Sequence, residues 1–287
     1  MNSRIKGDTK IFSSIGDPVN HSLSPQIHNS IFDLNNLNNV HIPIRITEEN
    51  LEKYILMLRN NFTGLSVTKP HKQSIIPFLD QIDEEAKRYN AVNTIKIKDG
   101  LMIGYNTDGY GFVRSLELNN IDINNKDILL IGAGGAAGVL SFEILRLGGN
   151  LTISNRTIEK AENLKADLSK YWSQNKINVC KIEELKYGYF GIVNATPVGM
   201  FPNINEMPIS ENVLQNTNFV FDLIYNPSST KLLQCARNYG CNCINGFSML
   251  FYQAVKAQEI WTGSKSDEEA LISIKCEIEN CFNMENH

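Results

Sequence analysis

Apolar and polar positions along this chain follow two rhythms. Short, mostly apolar or alternating runs at Lys10 to Ile15, Val40 to Ile46 and Gly64 to Val67 read as strands. Stretches with helical apolar spacing at Ser24 to Leu34, Glu48 to Asn60 and Ser74 to Tyr89 read as helices between them. Thr94 to Ile97 and Met102 to Tyr105 flank Asp99-Gly100, a pair that turns a hairpin. A helix over Gly109 to Leu118 then leads to strand-like runs at Asp127 to Ile131, Asn150 to Ser154, Asn178 to Lys181, Gly191 to Asn194, Phe219 to Asp222 and Asn242 to Ile244. Helical spacing returns at Met249 to Trp261 and at Asp267 to Cys281, where Ala270, Leu271, Ile274 and Ile278 form one apolar face. Strands alternating with helices predict an α/β fold with mostly parallel sheets covered on both faces.

A chain of 287 residues exceeds the usual single domain, so two are expected. The predicted division is an N-terminal mostly parallel α/β substrate domain over 1–107, completed by C-terminal helices over 248–287. A Rossmann-type nucleotide-binding domain occupies 108–247, with a cleft between the two. A net charge of −4 gives no broad basic field and argues against nucleic acid as a partner. The opening residues lack a signal-peptide core and no apolar run is long enough to span a bilayer, so no membrane association and a cytoplasmic location are expected. The 6 cysteines are scattered, and Cys241-x-Cys243 has no second pair at zinc spacing, so no metal is expected.

Candidate chemistry sharpens the second half. In Ile128 to Gly138 an apolar strand turns through glycines into a helix that runs to Arg146 and stops at Gly148-Gly149. Gly132, Gly134 and Ala137 fit G-x-G-x-x-A, a pattern that lets backbone approach a pyrophosphate at a helix N-terminus. Alone, the same pattern also marks tight strand–helix packing. The next strand ends in Asn155-Arg156-Thr157 with no acidic residue to grip a bare ribose. Arg156, with Thr157 and Lys160 nearby, suits a ribose 2′-phosphate and hence NADP; taken alone, it also fits a solvated loop charge.

Nicotinamide chemistry needs a proton donor beside the hydride path. The first half offers SLSP (Ser22 to Pro25), SVTKPHK (Ser66 to Lys72), AVNT (Ala91 to Thr94) and GYNTDG (Gly104 to Gly109). A Lys72–Asp108 pair would hold an ammonium ready as that donor. Singly, Lys72 fits a surface charge, Asp108 a helix N-cap, and Ser22 and Ser24 caps before Pro25.

These segments occur in an order that ties them together. From about Lys10 to Ala254 the chain carries SLSP, G-x-S-V-T-x-P-x-K, AVNT, G-x-N-T-D, GAGGAA, NRT, NATPVGM (Asn194 to Met200), D-x-x-Y-x-P (Asp222 to Pro227) and G-x-x-M-L-x-x-Q (Gly246 to Gln253). In this it resembles the shikimate dehydrogenase family. The resemblance implies reversible, NADPH-dependent reduction of 3-dehydroshikimate to shikimate in aromatic amino-acid (chorismate) biosynthesis, by a monomer or homodimer acting on small molecules. It implies that Ser22 and Ser24 bind the substrate carboxylate. Thr68, Asn93, Asp108 and Gln253 would meet the ring hydroxyls, with Tyr225 lining the substrate from the nucleotide side. Lys72 would be the general acid, coupled to Asp108. Gly132, Ala133, Gly134, Gly135, Ala136 and Ala137 would hold the pyrophosphate, and Asn155, Arg156, Thr157 and Lys160 the adenosine phosphate. Leu223 and Gly246 would offer backbone near the nicotinamide, with Glu84 a further cofactor-side candidate.

Two positions depart from the family pattern: Ser66 stands where asparagine is common, and Asn90 where glycine is usual, a place asparagine fills through its tolerance of positive φ. The rival readings are a quinate/shikimate dehydrogenase using NAD, for which Glu159 is the available acid, and a non-catalytic NADP-binding sensor.

Overall fold

Strand β1 (Lys10–Gly16) is buried over its last five residues because it lies between two parallel neighbours, β2 (Asn39–Arg45) and β3 (Gly64–Val67). The computed structural model describes residues 5–20, 22–173 and 176–285. Between those strands run α1 (Ser24–Leu34) and α2 (Leu51–Asn61), and after them come α3 (His71–Ser74), β4 (Gln81–Ile82), α4 (Glu84–Tyr89), β5 (Thr94–Lys98), β6 (Leu101–Tyr105) and α5 (Asp108–Leu118). The sheet order is β2-β1-β3-β5-β6-β4, with β5 antiparallel to both β3 and β6. Asp99 (φ 52) and Gly100 (φ 76) both take positive φ in the β5–β6 turn, the geometry that matches strand twist in a two-residue hairpin.

The chain divides into two compact units, Met1–Gly111 with Leu250–Glu285, and Phe112–Met249. In the first, strand periodicity sends Ile15, Leu65, Val67 and Ile95 to one face, packed with Leu51, Leu58 and Met102. The opposite face carries Phe12, which packs with Phe32 from α1 and with Ala257 and Trp261 from α9 (Gly246–Thr262), the helix before α10 (Glu268–Glu285). Gly64 allows that contact: a Cβ there would sit 2.6 Å from Trp261 Nε1, which donates to Ile95 O at 2.9 Å.

The second unit holds β7 (Asp127–Ile131), α6 (Gly135–Arg146), β8 (Asn150–Ser154), α7 (Ile158–Leu168), β9 (Ile177–Cys180), β10 (Gly191–Asn194), β11 (Phe219–Asp222), α8 (Lys231–Asn238) and β12 (Asn242–Ile244). All its pairings are parallel, in the order β12-β11-β10-β7-β8-β9. Read from β9, this is the doubly wound dinucleotide order, with its switch point between β7 and β10.

One predicted helix does not exist as a single element. Ser74 to Tyr89 is broken into α3, a 3-10 turn at Ile76–Phe78, β4 and α4. Pro77 cannot sustain a helix ladder, and Asp80 is held instead by Met102 N (2.7 Å) and Arg59 Nη1 (2.5 Å). Asp83 then caps α4 by accepting from Glu85 N at 3.0 Å. Glu48–Asn50 is likewise a 3-10 turn ahead of α2, and α9 starts at Gly246, before the predicted Met249. Among the described residues, no helix is long and apolar enough to cross a membrane.

Candidate functional site

Four segments of the first unit converge on one polar cluster. Lys72 lies on α3, just past the β3 end, and Asn93 sits in the turn before β5. Asp108 opens α5 and Gln253 lies on α9. Lys72 Nζ donates to Asp108 Oδ2 at 2.6 Å, with the side chains 31% and 11% exposed. That exposure leaves the ammonium reachable while the carboxylate is largely fixed.

Asn93, buried, organises the rest. Its Nδ2 donates to Asp108 Oδ1 at 2.8 Å and to Thr107 Oγ1 at 3.1 Å, while Oδ1 accepts from Thr107 N at 2.8 Å and Thr94 Oγ1 at 2.9 Å. Gln253 Oε1 faces Asn93 Nδ2 and Thr107 Oγ1, both at 3.4 Å. Asn106 supports the α5 start: its Oδ1 accepts from Asp108 N at 3.0 Å and its Nδ2 donates to Ala91 O at 2.9 Å. The lysine loop is pinned by Val92 N donating to Lys72 O at 2.8 Å. The roles of Thr107, Thr94 and Asn106 escaped sequence reasoning, although all three lie inside quoted motifs. Nothing in a linear motif says which of its polar residues face inward.

Ser22, Ser24 and Thr68 belong to the same unit but, among the described residues, make no hydrogen bond to this cluster. Ser22 Oγ accepts from Ser24 N at 3.2 Å, so it is engaged in a local turn. The α1 N-cap position is Leu23, and no side chain caps the helix. Among the described residues, the Ser24 and Thr68 hydroxyls make no hydrogen bond.

The two departures from pattern have physical accounts. Asn90 ends α4 in the left-handed region (φ 48, ψ 40), the conformation glycine would supply. Ser66 Oγ lies 3.2 Å from Nε2 of His28, which is fully buried, stacked on His41 at 4.4 Å, and accepts a bond at its carbonyl from Gln258 Nε2 at 2.8 Å. Burial, then the neighbouring His41, hold the His28 pKa well below the usual imidazole value, and burial lowers His41 to about 3. Both rings are neutral spacers at ordinary pH.

In the second unit the glycine turn fits a dinucleotide phosphate. Gly132 takes φ +112, and Gly134 is the α6 N-cap with no side chain capping it. A Cβ added at Gly134 or Gly135 meets nothing within 4 Å, so open space lies over the helix N-terminus where an anion is stabilised. Ala137 is buried and Ala133 and Ala136 flank the turn. Arg156, Thr157 and Lys160 are exposed, and the Arg156 and Lys160 side chains have no ion-pair partner among the described residues. Asn155 Nδ2 donates to Thr157 O at 2.7 Å and shapes that loop.

At the other end of the sheet, Leu223 N bonds Asn194 O at 3.0 Å and Gly246 N bonds Ile224 O at 3.1 Å. A Cβ on Gly246 would fall 1.9 Å from Leu223 O, so only glycine permits this approach. Tyr225 lies in this unit, and burial pushes its phenol up. Glu84 stands elsewhere, exposed in the first turn of α4 in the first unit and paired with Lys87 at 2.6 Å.

Known proteins of one family are similar to this chain over most of its length. The family described as the shikimate dehydrogenase substrate binding domain matches residues 14–95. A shikimate dehydrogenase (NADP(+)) of Carboxydothermus hydrogenoformans is 43% identical over 263 residues, covering 91% of this chain and 94% of the relative. A shikimate dehydrogenase solved in complex with NADP+ superposes with a TM-score of 0.90 at 39% identity, covering 95% and 96% of the two chains. A Thermus thermophilus shikimate 5-dehydrogenase solved with NADP(H) and shikimate gives a TM-score of 0.86 at 28% identity, over 94% and 99%.

Proposed function

Because the chain belongs to the shikimate dehydrogenase family, we propose that it catalyses the reversible NADPH-dependent reduction of 3-dehydroshikimate to shikimate. In this reading the unit Met1–Gly111 with Leu250–Glu285 binds the substrate and Phe112–Met249 binds NADP. When bound, NADPH supplies the hydride, and the protein supplies position and the proton. Lys72 Nζ gives its proton to the forming alkoxide, and Asp108 holds the ammonium in place at 2.6 Å. In the reverse direction the neutral amine takes the hydroxyl proton.

Asn93, Asp108, Gln253 and Thr68 present neutral amides, a hydroxyl and one carboxylate edge to a polyhydroxylated ring. Each leaves an unpaired partner if a ring hydroxyl is missing, which is how such a site rejects analogues. Ser22 and Ser24 meet the substrate carboxylate, and Tyr225 is a further substrate-binding residue. Gly132 to Ala137 hold the pyrophosphate, Asn155, Arg156, Thr157 and Lys160 the 2′-phosphate, and the backbone at Leu223 and Gly246 the nicotinamide amide. The same reading makes this a cytoplasmic enzyme of small molecules, monomeric or homodimeric.

The Lys72–Asp108 contact, with Asn93 bridging to Gln253, carries the proposal. The test is shikimate-dependent reduction of NADP+ followed at the nicotinamide absorbance, with quinate and NAD+ as controls. Turnover with shikimate and NADP+ supports the reading. No turnover, or a clear preference for NAD+ or quinate, overturns it.

A further inference from the structure

One buried carboxylate lies outside the chemistry assigned above. Asp222 ends β11, is 0% exposed, and is paired with no cation among the described residues. Its neighbours are neutral donors. Thr230 Oγ1 donates to Oδ2 at 2.6 Å, and Asn194 Nδ2 and Ile224 N donate to Oδ1 at 3.0 and 3.1 Å. These come from each of the segments held against it: the β10 end, the turn after β11, and the α8 N-cap. None is charged or titrates near neutral pH. Thr230 is also the α8 cap, accepting from Leu233 N at 3.3 Å, so the carboxylate is locked in place.

Its place in the fold gives this charge a consequence. In a doubly wound sheet the dinucleotide crosses the carboxyl ends of the strands at the switch point, one mononucleotide over each half. The glycine turn and Arg156 put the adenosine half over β7 to β9, which leaves the β10 to β12 ends for the nicotinamide half. Asp222 sits at one of those ends, directly before Leu223. Cofactor oxidation changes charge in this half alone: the oxidised nicotinamide ring is cationic and the reduced ring is neutral.

We propose that the Asp222 carboxylate makes the nucleotide unit favour the oxidised, cationic cofactor over the reduced one, as an electrostatic determinant of redox-state preference. The inference rests on the NADP reading above. A buried anion without a cationic partner, in surroundings less polarisable than water, acts on a second charge more strongly than a solvated one does. Burial pushes the Asp222 pKa up to about 6, against the pull of its three hydrogen bonds, so the group is ionised at neutral pH and loses its charge in mild acid.

The test is calorimetric titration of the full-length protein with NADP+ and, separately, NADPH, with and without Asp222→Asn. The amide keeps an oxygen to accept from Asn194 and Ile224 and removes the charge, while its NH2 replaces Oδ2 and donates to Thr230 Oγ1 in the reverse of the present bond. At about pH 8 the ratio Kd(NADP+)/Kd(NADPH) should rise about tenfold in the variant, the effect of one unit charge on another about 12 Å away at an effective dielectric near 20. In the unaltered protein the same ratio should rise as pH falls from about 8 to 5.5, and it should stay flat in the variant. The 2′-phosphate titrates in both ligands and cancels from the ratio. If Asp222→Asn does not fold, the pH series on the unaltered protein decides alone. Binding of both forms with an unchanged ratio overturns the inference and leaves the NADP reading intact. Binding of neither form overturns both.

Discussion

Asn93→Leu tests whether the candidate site is held by one buried amide. Leucine keeps the branched outline and removes every polar atom. Thr107 N then loses its 2.8 Å acceptor inside the protein, which costs about 1–3 kcal/mol for a buried unsatisfied donor. Asp108 Oδ1 loses a charge-assisted bond at 2.8 Å, worth about 1.5–3 kcal/mol. Thr94 Oγ1 escapes penalty by turning to Thr107 Oγ1, already 3.3 Å away. The expected loss is therefore about 2.5–6 kcal/mol, confined to the first unit. The chain has 2 tryptophans, and Trp261, 5% exposed and packed on Phe12 at 4.9 Å, belongs to that unit. In a Trp172→Phe background, urea unfolding followed by Trp261 fluorescence reads this unit directly. A loss under about 1 kcal/mol would refute the reasoning, since water or a neighbouring group would then be satisfying Thr107 and Asp108.

Three further outcomes are expected. Lys72→Ala should lower kcat by roughly 10²–10⁴ with shikimate binding largely kept, measured by steady-state rates alongside calorimetric binding; near-normal kcat removes Lys72 from proton transfer. Arg156→Ala should weaken NADPH more than NADH, and equal weakening of the two would rule out a 2′-phosphate contact. Asp222 also sets a pH dependence of stability. Its folded pKa of about 6 lies above the unfolded value of 3.8, so its contribution is fully present below about pH 4 and is lost as pH rises through 6. Asp222→Asn should therefore gain stability relative to the parent by about 3 kcal/mol between pH 4 and 7.5; a difference that stays constant over that range refutes the assigned shift.

Local chemistry was enough to read much of this protein from its residues. Asp99-Gly100 specifies a tight hairpin because few other pairs tolerate positive φ at both positions. Asn90 ends α4 for the same reason. The glycine run after an apolar strand specifies an open helix N-terminus, and strand–helix alternation specifies parallel sheets. These features depend on a few neighbouring residues. Helical spacing over Ser74 to Tyr89, by contrast, was overridden by Pro77 and by the grip of Met102 and Arg59 on Asp80, partners about twenty residues away in either direction. The functional cluster belongs to this second kind. Lys72, Asn93, Thr107, Asp108 and Gln253 are single polar residues until long-range pairing brings β3, β5, β6 and α9 together. The charge on Asp222 gains meaning only when β11 is buried between β10 and β12. Backbone preference acts over neighbouring residues and can be read along the chain, whereas a site's contacts and solvent exclusion exist only once distant segments pack.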